Sequence, residues 1–571
     1  MSAVAPPSPA KVPPLREGPG ADALPSSAVD DLPLTGQDRA EALTLLATVF
    51  LVAACGLIYE LLIATISSYL LGSSVTQFSL CIGAFIGSMG LGSYVSQYVS
   101  RGLLRLFIAV EIVLAVVGGA SAWALFASYT FLGSLYYGVL FGLLIVIGGL
   151  VGLELPLLTR LLGRYGALKT VIAQALSFDY VGALLGSIAF PLVLLPTLGT
   201  TRTAFVVGLL NLAVAAYNIY VFRHRMRSPA GPLALTGGLA ALLLLGLFSS
   251  ERVSSLMERR LYEDEVIHAQ QTRYQRIVIT RFRSDLRLYL DGNLQFSAAD
   301  EYRYHEALVH PAMALSASTE SVLVLGGGDG LGIREVLKHP GVKRVTLVDI
   351  DPAMTDLAKS YPALVEQNAN ALADPRVHLV HQDAYTFLEK GAERYGVIIG
   401  DLPDPNNEAL AKLYSREFYG LVRRRLGVGG VFVTQAAAPL FAREAFWCIR
   451  KTVESAGFST TPYHVYVPSF GDWGFVLAGP LPSGSTHPGT LRVPRSSGTP
   501  SLAGEGGGVT GLSAVPARLQ ARGIPTRYLG GASPASLTAF DVDNGPTPVE
   551  ISTLDFPRVL RYYETGAKKW E

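Results

Sequence analysis

Acidic residues follow short apolar runs four times in the second half of this chain. The run at 321–325 leads into Gly326-Gly327-Gly328-Asp329-Gly330-Leu331-Gly332, and the run at 345–348 ends in Asp349. The run at 377–380 is followed by Gln382-Asp383-Ala384, and the run at 395–400 by Asp401-Leu402-Pro403-Asp404-Pro405. Short continuous apolar runs bounded by Gly and Asp read as buried strands, and Ile333-Arg334-Glu335-Val336-Leu337-Lys338 after the glycines reads as a helix. In an open parallel sheet a ligand sits beyond the carboxyl ends of the strands, so Asp329, Asp349, Asp383 and Asp401 are expected to converge on one cleft.

Glycines there let the backbone approach a ligand closely, and an acid ending the next strand can accept two ribose hydroxyls. The loop departs from the dinucleotide pattern G-x-G-x-x-G, because Leu331 occupies the third glycine position and Asp329 intrudes. A carboxylate beside a pyrophosphate repels it, whereas the same carboxylate suits a sulfonium or an ammonium. Taken singly, the loop also reads as a structural turn, and each acid as a helix cap or a soluble loop residue.

The elements that carry these residues form part of a longer chain. At 571 residues, with 50% hydrophobic and 16% charged residues and a mean hydropathy of +0.36, the sequence is too apolar for a wholly soluble globule. Its 46 basic and 45 acidic residues leave a net charge of +1, which excludes a basic field for nucleic acid. Cys55, Cys81 and Cys448 have neither disulfide nor zinc spacing. Residues 1–40 read as a disordered tail rich in Pro, Ala, Gly and Ser. Residues 41–250 hold seven apolar stretches, at 42–65, 75–98, 104–127, 133–155, 172–196, 201–222 and 231–248, each able to span hydrocarbon as a helix. Glu60, Glu111, Glu154 and Asp179 interrupt them, and a carboxylate at that depth implies a role, a buried partner or a place near a helix end. Gly83 to Gly92 and Gly182 to Gly186 are rich in small residues, as close helix packing in lipid requires. The expected architecture is therefore a multi-pass α-helical membrane domain of six or seven spans followed by a soluble α/β part. Residues 481–510 read as a flexible insertion and 511–571 as a C-terminal extension.

Tyr274-Gln275-Arg276-Ile277, Leu290-Asp291-Gly292-Asn293-Leu294-Gln295, Asp300-Glu301-Tyr302-Arg303-Tyr304-His305-Glu306, the Gly326 loop and Asp401-Leu402-Pro403-Asp404-Pro405 occur in an order that resembles the spermidine synthase family of polyamine aminopropyltransferases. The resemblance covers about 262–478. It implies a Rossmann-like, methyltransferase-type domain at 316–480, preceded at 251–315 by a small β subdomain with an amine-site lid. It also implies that Gln275, Gly326, Gly328, Asp349, Asp383 and Ala384 hold the nucleoside of decarboxylated S-adenosylmethionine as co-substrate. Tyr304, His305, Asp329 and Asp404 would orient the amine, and Asp401 would be the general base. No metal or bound cofactor is implied, the acceptor is putrescine or a related polyamine, and a homodimer fits the family. Asp349 stands where Glu is usual, Ala384 where Gly is usual, Asn406-Asn407 where Gly-Pro often follows, and Asp472 near a usual Gln; facing the cleft, Asp472 would add to the pull on a cation.

The leading expectation is aminopropyl transfer to putrescine, giving spermidine and methylthioadenosine. Another amine acceptor, a methyltransferase using intact S-adenosylmethionine, and a membrane polyamine transporter or sensor are the alternatives. A dinucleotide oxidoreductase is disfavoured by Asp329. Arg101 and Arg105, then Arg160, Arg164 and Lys169, then Arg223, Arg225 and Arg227 fall in alternate loops, which places those loops in the cytoplasm. The nucleoside substrate is made inside cells, so the second half is also expected in the cytoplasm of a cell-membrane protein. Both hold only if one stretch, the short 231–248 run being the weakest, fails to cross.

Overall fold

Long uncharged runs leave the backbone no cheaper way to satisfy its polar groups than the helix. The first half accordingly forms α1 (Gly36–Leu71), α2 (Ser74–Val95), α3 (Leu103–Leu132), α4 (Tyr136–Leu162), α5 (Leu168–Ala189), α6 (Leu195–Val221) and α7 (Ala230–Leu261). The computed structural model describes residues 35–71, 74–226, 228–262, 264–480, 511–567 and 569; most of the expected N-terminal tail and the whole of the 481–510 insertion lie outside the described residues.

Two sets of contacts define the ends of the bundle. At one end Glu41 of α1 pairs with Arg225 beyond α6 and accepts from Tyr165 beyond α4, while Arg160 donates to the carbonyls of Ser96 and Val99 beyond α2. The loops after α2, α4 and α6 therefore meet at this end. At the other end the last residues of α1, the first of α2, the α5–α6 junction and Tyr262 beyond α7 wall a cavity shared with the second half of the chain.

By length and composition six helical stretches could cross a bilayer, among them Leu168–Val221, which is 54 residues long. That stretch holds two helices, α5 and α6, separated by a π-helical turn at Phe190–Leu194 and by Gly199 at φ 71°. They run opposite ways: Gly182 and Gly186 of α5 meet Phe50 and Ala54 of α1 in the same sense, whereas Asn218 near the end of α6 donates to Thr48 near the start of α1. The 231–248 run, expected to be the weakest stretch, forms the apolar part of the 32-residue α7, which leads from the basic end to the cavity end and by length and composition could cross a bilayer. Among the described residues seven helices join the two ends, and the second half of the chain sits away from the basic loops.

The second half starts with an antiparallel sheet, β1 (Glu265–Gln271), β2 (Arg276–Phe282), β3 (Asp285–Leu290) and β4 (Asn293–Ser297), followed by α8 (Glu301–Leu315). Next come β5 (Ser321–Gly326), α9 (Leu331–Leu337), β6 (Arg344–Asp349), α10 (Pro352–Ser360), β7 (Val377–His381), β8 (Tyr395–Asp401), β9 (Leu426–Gln435), β10 (Phe458–Val467) and β11 (Gly471–Pro480). The seven strands order as β10-β11-β9-β8-β5-β6-β7, with β9 to β7 parallel and the β10–β11 hairpin antiparallel at one edge. Val322 and Val324 enter one core and Leu323 and Leu325 the other, so β5 is buried on both faces and reads as a continuous apolar run. Because β5 lies between β6 and β8, the loop after it faces the ends of both, where the order of the sheet reverses.

The C-terminal residues return to this body. Buried Glu306 of α8 accepts from three successive backbone amides, those of Arg527, Tyr528 and Leu529. Trp447 donates to the Asn544 carbonyl, and helix Arg558–Ala567 packs on helix Arg443–Ser455. Glu306→Ala strands three amides and is expected to cost about 3 kcal/mol or more. It should expose residues 511–567 to trypsin, read by limited proteolysis with mass spectrometry; an unchanged digest would mean that other contacts dock the extension.

Candidate active site

Each side chain of the site is placed by the end of a strand or by α8. Gly326 ends β5 with φ 78°, and a Cβ on it would fall 2.1 Å from the Asp401 carbonyl oxygen at the end of β8. Backbone meets backbone there, so only glycine fits. Gly328 is similarly close to Asp349, whose carboxylate accepts from the Asp351 amide at 2.8 Å. Asp329 turns its carboxylate back to the Leu331 amide at 2.9 Å.

From α8, Tyr304 donates to Asp401 Oδ1 at 2.8 Å. The next residue, His305, is held by Glu301 at 2.8 Å, and Glu301 is held in turn by Arg334 of α9 at 2.9 Å. Asp404 accepts from Gln435 of β9 at 3.1 Å and from Tyr563 of the C-terminal helix at 2.9 Å. Phe470 and Trp473 stand edge-on to the Tyr304 ring, with centroids 6.2 and 6.3 Å away.

Burial dominates the titration of these groups. It raises Asp329, Asp349 and Asp404 each to about 6, against the His305 charge at Asp329, backbone amides at Asp349 and the Tyr563 and Gln435 bonds at Asp404. Asp401 is raised too, by burial, with the His305 charge and the Tyr304 bond opposing. Burial alone would lower His305, yet the bond and charge of Glu301 lift it to about 9. Asp383 goes the other way: burial opposes, but Lys412 at 2.7 Å and the Thr386 amide hold it below the usual range.

Gln275, Tyr304, His305, Gly326, Gly328, Asp329, Asp349, Asp383, Ala384, Asp401 and Asp404 all line one cavity of about 2030 Å³. Two side chains make contacts that the sequence did not specify. Gln275, besides lining the cavity, donates to Asp351, which also caps α10. Asp472, raised as an extra acid in the cleft, bonds His464 and Asn544 and is not among the lining residues; its neighbour Trp473 lines the cavity, and successive residues on a strand face opposite ways. Sequence reasoning missed Gln435, Tyr563, Asp351 and the Glu301–Arg334 support of His305. Only Glu301 left a local signal, standing one helical turn before His305.

A glycine loop at the switch point of a parallel sheet, faced by buried carboxylates that hold neutral donors, makes a Rossmann-like cleft suited to a nucleoside and a cation. The spermine/spermidine synthase domain matches residues 301–482. Polyamine aminopropyltransferase 2 of Ralstonia nicotianae is 48% identical over 533 residues, 92% of this chain and 98% of that protein. The polyamine aminopropyltransferase of Leptospira interrogans is 42% identical over 521 residues, 90% of this chain and 97% of that protein. A solved spermidine synthase in complex with the transition-state analogue AdoDATO is 30% identical, covering 37% of this chain and 73% of its own, with a TM-score of 0.35. The chain belongs to the polyamine aminopropyltransferase family, and it is a transferase.

The raised Asp329 carries a stability consequence. Its folded value of about 6 lies above its ordinary 3.8, so its protonated form favours the fold at low pH and that contribution is lost as pH rises through about 6. Asp329→Asn is therefore expected to stabilise the ligand-free protein at pH 7.5 by about 1–3 kcal/mol, with the difference vanishing below pH 4. Thermal melts across that range check it, and a variant less stable at pH 7.5 would contradict it.

Proposed function

We propose that this chain transfers the aminopropyl group of decarboxylated S-adenosylmethionine to putrescine, giving spermidine and methylthioadenosine, with Asp401 as general base. The observation that carries the reading is the buried Asp401–Tyr304 pair at 2.8 Å, with Asp329 on one side and Asp404 following in the same loop. The nucleoside lies over Gly326 and Gly328, its ribose on Asp349 and its base near Asp383 and Ala384, with Gln275 at the edge. The protonated diamine lies between Asp329 and Asp404 against Tyr304, with His305 fixing the turn of α8 beneath. An ammonium has no lone pair, so one end must lose a proton before its nitrogen attacks the carbon next to the sulfonium. Asp401 takes that proton, the new C–N bond forms as the C–S bond breaks, and the sulfur leaves as the neutral thioether of methylthioadenosine. Positioning supplies much of the rate, since a sulfonium is already a good leaving group. The sheet of β1 to β4 and the start of α8 cover the amine end.

We read the seven-helix bundle as a membrane domain, supported by outward residues such as Phe248 (81% exposed) and Leu245 (64%) that need apolar cover. We assign the catalytic domain to the cytoplasm on the supply of its nucleoside substrate. The loop charges count against this orientation, and a C-terminal reporter accessible from outside the cell would overturn it.

Asp401→Asn in the full chain is expected to lower kcat by about 10²-fold or more while putrescine binding survives. Methylthioadenosine release and isothermal titration measure the two. Near-normal turnover would remove Asp401 from the role of base. In the unsubstituted enzyme kcat/KM should rise with pH through about 6, where Asp329 and Asp404 ionise; a flat profile from pH 5 to 7 would count against the amine site.

A further inference from the structure

Inside the seven-helix bundle, away from the catalytic cleft, two carboxylates are buried with no cationic partner among the described residues. Glu111 of α3 is 0% exposed and Glu154 of α4 is 1% exposed; the two carboxyls are within hydrogen-bonding reach of each other when one is protonated, and no other described residue donates to their oxygens. They lie within interaction range of each other and of Tyr59 on α1, whose fully buried hydroxyl is also unpartnered. Asn211 of α6 leaves both side-chain amide atoms unpaired, and the turn before it packs Gly208 on Ala115, one turn beyond Glu111. Asp179 of α5 adds a third carboxylate on the Glu154 side.

Several other polar groups of the bundle do find partners. Glu41 pairs with Arg225, Asn218 donates to Thr48, and Ser67 donates to Gln77. Single unpaired atoms occur at Trp123, Tyr136 and Asn218 as well, but two unpaired carboxylates occur together only at Glu111 and Glu154 among the described residues. Two acids facing each other in an apolar bundle repel when ionised and are costly to bury, which marks them as functional groups and not packing.

We propose that Glu111 and Glu154, with Tyr59 and Asn211, form a second ligand site for a protonated amine of the polyamine class. An ammonium brings donors and no acceptor, which matches four carboxylate oxygens, a hydroxyl and an amide carbonyl. One ammonium offsets one carboxylate, and a second ammonium of the same polyamine or a proton offsets the other. Along α1 the site lies near the catalytic cleft: Glu60 follows Tyr59, and Thr65 and Tyr69 line the active-site cavity. From Glu60 to Thr65 is about 8 Å along the helix axis. The bundle thus holds an amine beside the route between the helices and the transferase, either as supply or as product leaving. The inference takes its ligand class from the family and does not depend on the roles proposed for Asp401 or Asp329.

The test uses the full chain in lipid nanodiscs and radiolabelled spermidine. The unsubstituted protein should bind two equivalents per chain, and the double variant Glu111→Gln, Glu154→Gln should bind one. Release of methylthioadenosine from supplied substrates, measured on the same samples, should be the same for both proteins. Unchanged stoichiometry in the double variant would overturn the proposal. A second measurement needs no variant: a hydrophobic carbodiimide should label Glu111 and Glu154, read by mass spectrometry, and spermidine should suppress that labelling where sodium chloride at equal ionic strength does not. Equal labelling with and without spermidine would sink the amine site and leave a proton-binding pair.

Discussion

A carboxylate withdrawn from water without a counter-charge is among the most costly groups a protein can hold, and the cleft is built around several of them. The way each is held separates ligand-facing acids from structural ones. Asp401, Asp404, Asp329 and Asp349 receive a tyrosine hydroxyl, a glutamine amide or backbone amides, which orient a carboxylate without neutralising it. Glu301 and Glu335 instead have Arg334, and Glu335 has Lys338 as well. Negative charge is thus left for a cationic ligand where the cavity opens and cancelled where the fold needs only support.

The same distinction runs through the helical half. Glu41 closes one end of the bundle with Arg225, whereas Glu111 and Glu154 face each other deep inside with nothing to cancel them. One cavity joins the two halves, walled by the ends of the helices on one side and by the strand ends on the other. The bundle is a wall of the catalytic cavity as well as a candidate anchor.

The Asp401 carboxylate depends on contacts from far along the chain. Tyr304 reaches it from α8, which is tied to the segment after β10 by Asp300 receiving the amide and hydroxyl of Ser469. Asp404 is fixed by Gln435 on the neighbouring strand and by Tyr563 from the last helix. Glu306 secures that last segment by gathering three amides at 527–529. Distortion of the C-terminal extension would therefore reach the amine side of the cleft without touching a strand.

By itself the sequence determined what is carried by neighbours along the chain. An apolar run ending in glycine or aspartate announces a strand end, and a parallel sheet brings strand ends together, so Gly326, Gly328, Asp329, Asp349, Asp383 and Asp401 were legible before any coordinates. Long uncharged runs likewise announced the helices. Only the tertiary structure decided that Gln275 serves Asp351, that Asp472 turns from the cavity, that Tyr563 and Gln435 hold Asp404, and that α7 completes the passage from the basic end to the cavity end. The reason is physical: periodicity and strand ends record which face of an element is buried, whereas the register of one element on another, across more than a hundred residues, is set by packing and burial that no local pattern records.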